Sequence, residues 1–548
     1  MGKWAARASW ALSVLIPLVF LGLFFAWPVG AMLVRGFTAE GTVDFSGFSN
    51  VLGQRRTWLI VWQTVWMAAA GTAVSVVLGI PGAYVLYRCT FPGRRALRAI
   101  ATFPFVLPTV VVGVAFRALL GTGGPYAALG LDGTTAAVVL AMVFFNYSLV
   151  IRTVGSMWAV LDRRAEEAAR TLGAGRARTF LTVALPALRP AIGAAASMVF
   201  LFCSTAYGIV QTLGRPGYGT LETEIWVQTI TYLDLPTAAV LSFLQFVIVG
   251  IAVIISSKLC SHNVALRMNS TSERPLRASD AVPAAITGVV IAGLIIAPMA
   301  ALAARAFTYD GTWSLQNFRL LQTSGSGFTG GATVIDAIGH SVRIAFDATW
   351  IALIVGILMA VVLSRPTRGA LAKAQHALDA FVLLPLGVSA VTVGFGFFIA
   401  LKGPPMNLGS SGMLVPIAQA VVALPLVVRS LVPVLQSIDP RLREAAATLG
   451  AGPFRVLWSV DGPFMIRGLG IATGFAFAIS LGEFGATSFL ASPEYVTLPV
   501  IIARLLGRPG ADNYGMAMAG AVLLAVGTAG VMALSEMLRP RTGVKGAM

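Results

Sequence analysis

The chain has 548 residues, 57% of them hydrophobic and only 11% charged, with 39 Lys and Arg against 22 Asp and Glu for a net charge of +17. Charge this sparse, set between long uncharged runs, excludes an ordinary soluble domain and specifies a polytopic membrane protein whose partner is the lipid bilayer and not a nucleic acid. The excess of positive charge is then a statement about which loops face which side. Cys89, Cys203 and Cys260 show no CxxC spacing and His262, His340 and His376 are equally scattered, so neither a disulfide framework nor a metal site is expected.

Lys3 and Arg7 precede an apolar run over 11–34. It reaches the roughly 20 residues needed to cross the hydrocarbon core and exceeds the roughly 7–15 of a signal-peptide core, so it predicts a first transmembrane helix despite the cleavage-like Val29-Gly30-Ala31. Further spans are predicted near 58–87, 100–120, 134–151, 191–213 and 237–257. A stretch over 258–281, rich in Ser, Thr, Arg and Pro, has the composition of a linker. A second set of six follows near 282–306, 341–364, 379–402, 412–430, 467–490 and 514–536. Backbone inside a bilayer must satisfy its own hydrogen bonds, so these runs are helices, and the expected fold is an all-α integral membrane protein of about twelve spans. Alternate assignment of the loops puts 28 of the 39 Lys and Arg on one side and 11 on the other. The positive-inside rule makes the richer side cytoplasmic, and with it both termini and the linker.

Two polar segments on that side repeat one another. Glu167 to Pro186 reads EAARTLGAGRARTFLTVALP and Glu444 to Pro463 reads EAAATLGAGPFRVLWSVDGP, 277 residues later (444 − 167). The same offset pairs Gly79 with Gly356, Pro108 with Pro385, Leu149 with Leu426, Arg152 with Arg429, Gly208 with Gly485 and Thr220-Leu221 with Thr497-Leu498. Such a register implies duplication and fusion, with a pseudo-two-fold axis along the membrane normal and a path between the halves. Within each loop, Ala168-Ala169 and Ala445-Ala446 present a face of little bulk, and Gly173 and Gly450 stand where a helix ends in a left-handed cap. Small residues permit close approach by another body, and Glu167 and Glu444 with neighbouring arginines supply charge at its rim.

The spacing EAA, three residues, Gly, nine residues, apolar, one residue, Leu-Pro resembles the signature of the permeases of binding-protein-dependent ABC importers. The first copy fits through Val183 and Leu185-Pro186; the second has Gly462 before Pro463. The resemblance implies two tandem six-helix permease domains of the type I importer kind, 1–257 and 282–548, with coupling loops near 163–190 and 440–467. In it Glu167, Ala168, Ala169, Gly173 and Pro186, and Glu444, Ala445, Ala446, Gly450 and Pro463, form helices that sit in grooves of a homodimeric cytoplasmic ABC ATPase. No GxxxxGK[ST] phosphate loop occurs in the sequence. The chain is therefore expected to be a transport subunit and not an enzyme, without a cofactor of its own, ATP and Mg belonging to the partner. The outer loops are short, so solute capture is expected of an extracytoplasmic binding protein, and the location is the bacterial cytoplasmic (inner) membrane.

For the solute path, ionisable groups at membrane depth are default functional candidates. Glu483, expected midway along the eleventh helix, either meets a passing cation or makes a structural ion pair or hydrogen bond. Asp347 is expected to face an aqueous cavity or pair with Arg343. Tyr207 and Phe484 occupy equivalent positions in the two halves and either gate the path, offer π faces to a cation, or pack. The segments Phe103-Pro104-Phe105-Val106-Leu107-Pro108, Phe144-Phe145-Asn146, Thr220-Leu221-Glu222 and Gly482-Glu483-Phe484-Gly485 resemble the thiamine permeases, and the fusion and the acid resemble the iron(III) permeases. That resemblance adds Asn146 to the path and implies a small cation, thiamine ahead of iron(III) and polyamine. A carrier driven by an ion gradient shares the topology but has no use for two docking loops. An intramembrane enzyme would show a pattern such as HExxH or GxSxG, and neither is present.

Overall fold

Nine helices among the described residues are long and apolar enough to cross a membrane, and three bent helix pairs raise the number to twelve. The computed structural model describes residues 3–39, 42–43, 45–215, 218–260, 273–326, 331–365, 367–403, 407–492 and 495–537. Most of the 258–281 linker and the segment beyond 537 lie outside the described residues.

The unbroken spans are Ala11–Gly36, Arg55–Arg88, Thr135–Val160, Arg176–Ser204, Leu235–Ile255, Ala278–Ala306, Val334–Leu363, Leu414–Gln436 and Ala511–Met537. The third span of each half is broken: Arg94–Val106 meets Thr109–Leu120 at 110°, and Ala370–Pro385 meets Ala390–Ala400 at 91°. Pro108 caps the outer helix of the first pair, where its missing N–H removes nothing from the ladder. The third bent pair is Phe454–Ile466 with Gly468–Gly482, at 60°.

Two predicted spans are corrected. The helices expected over 191–213 and 467–490 end at Ser204 and Gly482, and separate short helices, Tyr207–Leu213 and Thr487–Leu490, follow. The sequence stays apolar through both breaks, so hydropathy runs straight across them. Close backbone approach is what requires the glycine just after each: a Cβ on Gly208 would lie 2.3 Å from Thr109 Oγ1, and one on Gly485 would lie 3.0 Å from Ala390 Cβ.

Four of the prolines inside spans are met in one recurrent way. The π-helical turns Gly22–Ala26, Phe180–Ala184, Ile291–Ile296 and Leu457–Asp461 each end two residues before a proline, at Pro28, Pro186, Pro298 and Pro463. A proline cannot donate to residue i−4 and crowds its carbonyl, and a widened turn relieves both.

The repeat is visible in packing. A Cβ on Gly79 would fall 2.5 Å from Val150 Cγ1 and one on Gly356 2.5 Å from Val427 Cγ1, so equivalent helix pairs touch at equivalent residues. Leu221 N donates to Thr64 Oγ1 at 3.0 Å, and 277 residues on Leu498 N donates to Ser341 Oγ at 2.7 Å. The halves are interlocked rather than merely adjacent. Lys3–Leu21 packs on Val334–Leu363 and Trp27–Gly36 on Ala390–Ala400, while Ala281–Val290 packs on Arg55–Arg88 and Ala297–Ala306 on Thr109–Leu120. Each half thus lends its first span to the other. The short strands Cys89–Thr90 and Arg274–Pro275 pair in parallel and tie the chain just before the second half to the first.

Candidate functional site: two exposed loops and the interface between the halves

Each loop is built from local chemistry. The Asp162 carboxylate accepts from Arg164 N at 2.9 Å and opens the Arg164–Thr171 helix; Asp439 accepts from Arg441 N at 2.9 Å at the start of Pro440–Thr448. An acidic cap at an N-terminus satisfies an orphan N–H and complements the helix dipole. At the other end Gly173 and Gly450 adopt φ of +84° and +80°. Gly173 N donates to Arg170 O and Ala174 N to Ala169 O, both at 3.0 Å, and Gly450 N to Ala447 O and Ala451 N to Ala446 O, both at 3.0 Å. These are two Schellman caps, one the repeat of the other.

The caps hold a small surface outward. Glu167, Ala168, Glu444 and Ala445 are exposed, Ala169 and Ala446 half-buried, and Pro186 and Pro463 lie beyond, at the start of the helices that return to the membrane. Leu172 and Leu449, the residues before the two glycines, are 88% and 89% exposed, a hydrophobe presented to solvent at the same point of both loops. Arg163 and Glu167 form an exposed i,i+4 pair at 3.4 Å, worth little by itself. Pro440 stands at the position equivalent to Arg163, and no ion pair engages Glu444 among the described residues.

What joins the loops to the membrane helices differs between the copies. Arg88, 1% exposed at the end of the Arg55–Arg88 helix, pairs with Glu166 at 3.0 Å and donates to Trp158 O and Leu161 O at 3.0 and 3.2 Å. Arg365 is its equivalent (88 + 277), but the position of Glu166 holds Arg443 and the position of Ala184 holds Asp461. The carboxylate has moved. Arg365 now pairs with Asp461, and Arg443 Nε donates to the same fully buried carboxylate at 2.7 Å. Both loops are strapped to the end of the second span of their half, one through a loop acid and the other through an acid on the returning helix.

At the interface, Tyr207 and Phe484 stack with ring centroids 5.1 Å apart at 22°. The two repeat-equivalent aromatics therefore meet each other across the pseudo-two-fold axis, both buried. Beside them Gly482 faces Pro108 so closely that a Cβ would lie 2.7 Å from its Cγ. Glu483 is not mid-helix as the sequence predicts: the helix stops at Gly482, and the carboxylate accepts from Ala486 N at 2.7 Å, Thr487 N at 3.0 Å and Thr487 Oγ1 at 2.5 Å. Both of its oxygens are engaged in capping the broken segment. Asn146 lies inside the first half, its amide donating to Met142 O at 2.9 Å and contacting Cys203 Sγ at 3.3 Å, with no hydrogen bond to the Tyr207, Phe484 or Glu483 side chains. No ion pair joins Asp347 to Arg343 among the described residues.

Glu222, which the sequence offers only as part of the Thr220-Leu221-Glu222 segment and without a role, is second in the Leu221–Trp226 helix and 0% exposed. Ser389, at the break in the third span of the other half, donates to its Oε2 at 2.6 Å. The signal that could have found it was an acid in the first turn of LETEIW, with Pro499 at the equivalent position.

Comparison with known proteins agrees with this doubled architecture. The family model for the binding-protein-dependent transport system inner membrane component matches residues 75–309 and again 352–544. The chain is 25% identical over 501 residues to the thiamine transport system permease protein ThiP of Brucella abortus, covering 87% of each chain. It is 26% identical over 476 residues to the ThiP of Escherichia coli, covering 82% of this chain and 85% of that one. Over a shorter stretch of 208 residues it is 32% identical to the probable sulfate transport system permease protein cysT of Nephroselmis olivacea, covering 37% of this chain and 70% of that one. With the family model matched twice over most of its length, the chain belongs to the binding-protein-dependent transport system inner membrane component family, the membrane permeases of ABC importers.

Proposed function

We propose that this chain is the permease subunit of an ATP-driven importer that moves a small cation, thiamine first among the candidates, from an extracytoplasmic binding protein into the cytoplasm by alternating access. The observation that carries the reading is the pair of exposed, identically capped loops, each strapped by a buried or partly buried ion pair to a membrane helix. In this reading a homodimeric cytoplasmic ATPase receives both loops and performs the hydrolysis. ATP binding draws the loops together, the straps turn that motion into rotation of the two halves, each moving with the first span that the other lends it, and the stacked pair Tyr207–Phe484 parts. Hydrolysis returns the cavity to the cytoplasm. Both termini and the linker face the cytoplasm of a bacterium, as the distribution of positive charge supports.

The choice of solute rests on the ThiP relatives, which match along both halves, whereas the sulfate relative matches about one half's worth of chain. Iron(III) and polyamine are the next candidates. Replacing Glu167 and Gly173 together, or Glu444 and Gly450 together, is expected to leave the chain folded while abolishing solute movement per ATP hydrolysed. Normal transport by both double variants would remove the loops from the coupling role.

A further inference from the structure

Three buried acids lie on the Leu221–Trp226 helix and at the break after Gly482, and their bonding separates them. Glu483 has both oxygens engaged by Ala486 and Thr487. Glu224 is paired with Arg56 at 3.0 Å and accepts from Gln228 at 2.8 Å. Glu222 differs: one oxygen accepts from Ser389 across the interface, and Oε1, fully buried, has no hydrogen-bond partner among the described residues. A buried acceptor left half-satisfied is costly and calls for a reason, and its use in another state of the protein is one. Its position fits that account. It is carried by the Leu221–Trp226 helix, which packs on both the Tyr207–Leu213 helix and the Ala390–Ala400 helix, and among the described residues its hydrogen bond to the other half is to Ser389, at the break before Ala390–Ala400. When the halves separate, that bond breaks, and the carboxylate is then left facing the gap on the helix packed against the one that begins with Tyr207.

We propose that Glu222 is the carboxylate that receives the positive charge of the transported solute when the halves part, with Ser389 holding it in the closed conformation. The aromatic rings of Tyr207 and Phe484 complete a site for an organic cation by offering π faces, with Glu222 the acid whose oxygens are not both engaged. The inference rests on the reading of the solute as a cation, and the experiment keeps the two apart.

The test uses the full complex of permease, ATPase and binding protein in proteoliposomes, with radiolabelled thiamine as the probe. Glu222→Gln keeps shape and removes charge. Glu222→Met also removes charge, and an apolar side chain of similar volume in a buried site folds at least as readily as an ion. Both neutral variants are expected to lower thiamine uptake at least about tenfold, equivalent to about 1.4 kcal/mol, while ATP hydrolysis stimulated by the binding protein stays within about twofold of wild type. Glu222→Asp, which retains the charge, is expected to recover most of the uptake. The proposal is overturned if either neutral variant, assembled with its ATPase, transports thiamine at the wild-type rate. It is equally overturned if uptake and stimulated ATP hydrolysis fall together in both, since a merely structural role gives that result. A wild-type complex that moves a neutral or anionic solute and not thiamine, iron(III) or a polyamine overturns the cation reading itself, and that outcome is seen without any variant.

Discussion

Asp461 is the residue on which the second loop's attachment turns, and its replacement gives a quantitative forecast. Its carboxylate is wholly buried and is shared by Arg365 and Arg443, whose side chains are 20% and 13% exposed. Removing one partner of a buried ion pair costs roughly 3–5 kcal/mol. Because both guanidiniums retain some water, the lower end applies, and Asp461→Ala should cost about 3 kcal/mol. Arg443→Glu on its own should also destabilise, by setting two carboxylates against one arginine. The double variant Asp461→Ala with Arg443→Glu, however, rebuilds the wiring of the first half, where Arg88 meets a loop acid at 3.0 Å. About 2 kcal/mol should return, a coupling within the roughly 0.5–3 kcal/mol found for residues in one network. The assay is a double-mutant cycle on denaturation of the purified chain in detergent, with solute moved per ATP measured in parallel. Single-variant losses that add to within about 0.5 kcal/mol in the double would refute the claim that the three charges act together and that the loop acid and the helix acid are interchangeable.

Three further outcomes are expected. Gly79→Ala and Gly356→Ala each force a methyl to within 2.5 Å of a valine methyl, and each should destabilise by about 1–3 kcal/mol, with matched losses in thermal denaturation. A loss confined to one of them would mean that the two helix contacts are not equivalent. Glu483→Gln replaces one acceptor of a three-bond cap by a donor facing N–H groups and should lower stability by about 1–2 kcal/mol with less effect on uptake; unchanged stability with lost uptake would make Glu483 a solute contact instead. Separating the stacked rings by Phe484→Ala should leave a buried cavity and cost about 3–5 kcal/mol, and it should let solute leak between the compartments without ATP, which flux measurements on vesicles would detect.

The sequence made the helices, the duplication and the loop caps legible, because each leaves a local mark. Gly173 and Gly450 sit where a left-handed backbone favours glycine, and the 277-residue offset places Tyr207 and Phe484 at equivalent points of the two halves. That they stack on each other required the axis itself. The ends of the broken spans were hidden because Thr205-Ala206 and the residues after Glu483 remain apolar enough for a continuous helix, so Glu483 read as mid-helix when it is a helix cap. The rewired strap was hidden for a different reason. Arg443 replaces an acid and Asp461 an alanine, so each looks like a departure from the repeat, and only in space do the two departures compensate. The bond of Glu222 to Ser389 spans 167 residues and two halves, a separation that no local pattern reports. The exchange of first spans is likewise invisible to a reading that takes each half as a contiguous unit.

The most direct test of the account is uptake of labelled thiamine by proteoliposomes holding this chain with its ATPase, with the binding protein on the outside and ATP inside. The account predicts uptake that requires ATP and the binding protein and that stops when either loop carries its double replacement, Glu167 with Gly173 or Glu444 with Gly450. Uptake that persists without ATP and follows an imposed ion gradient would contradict it.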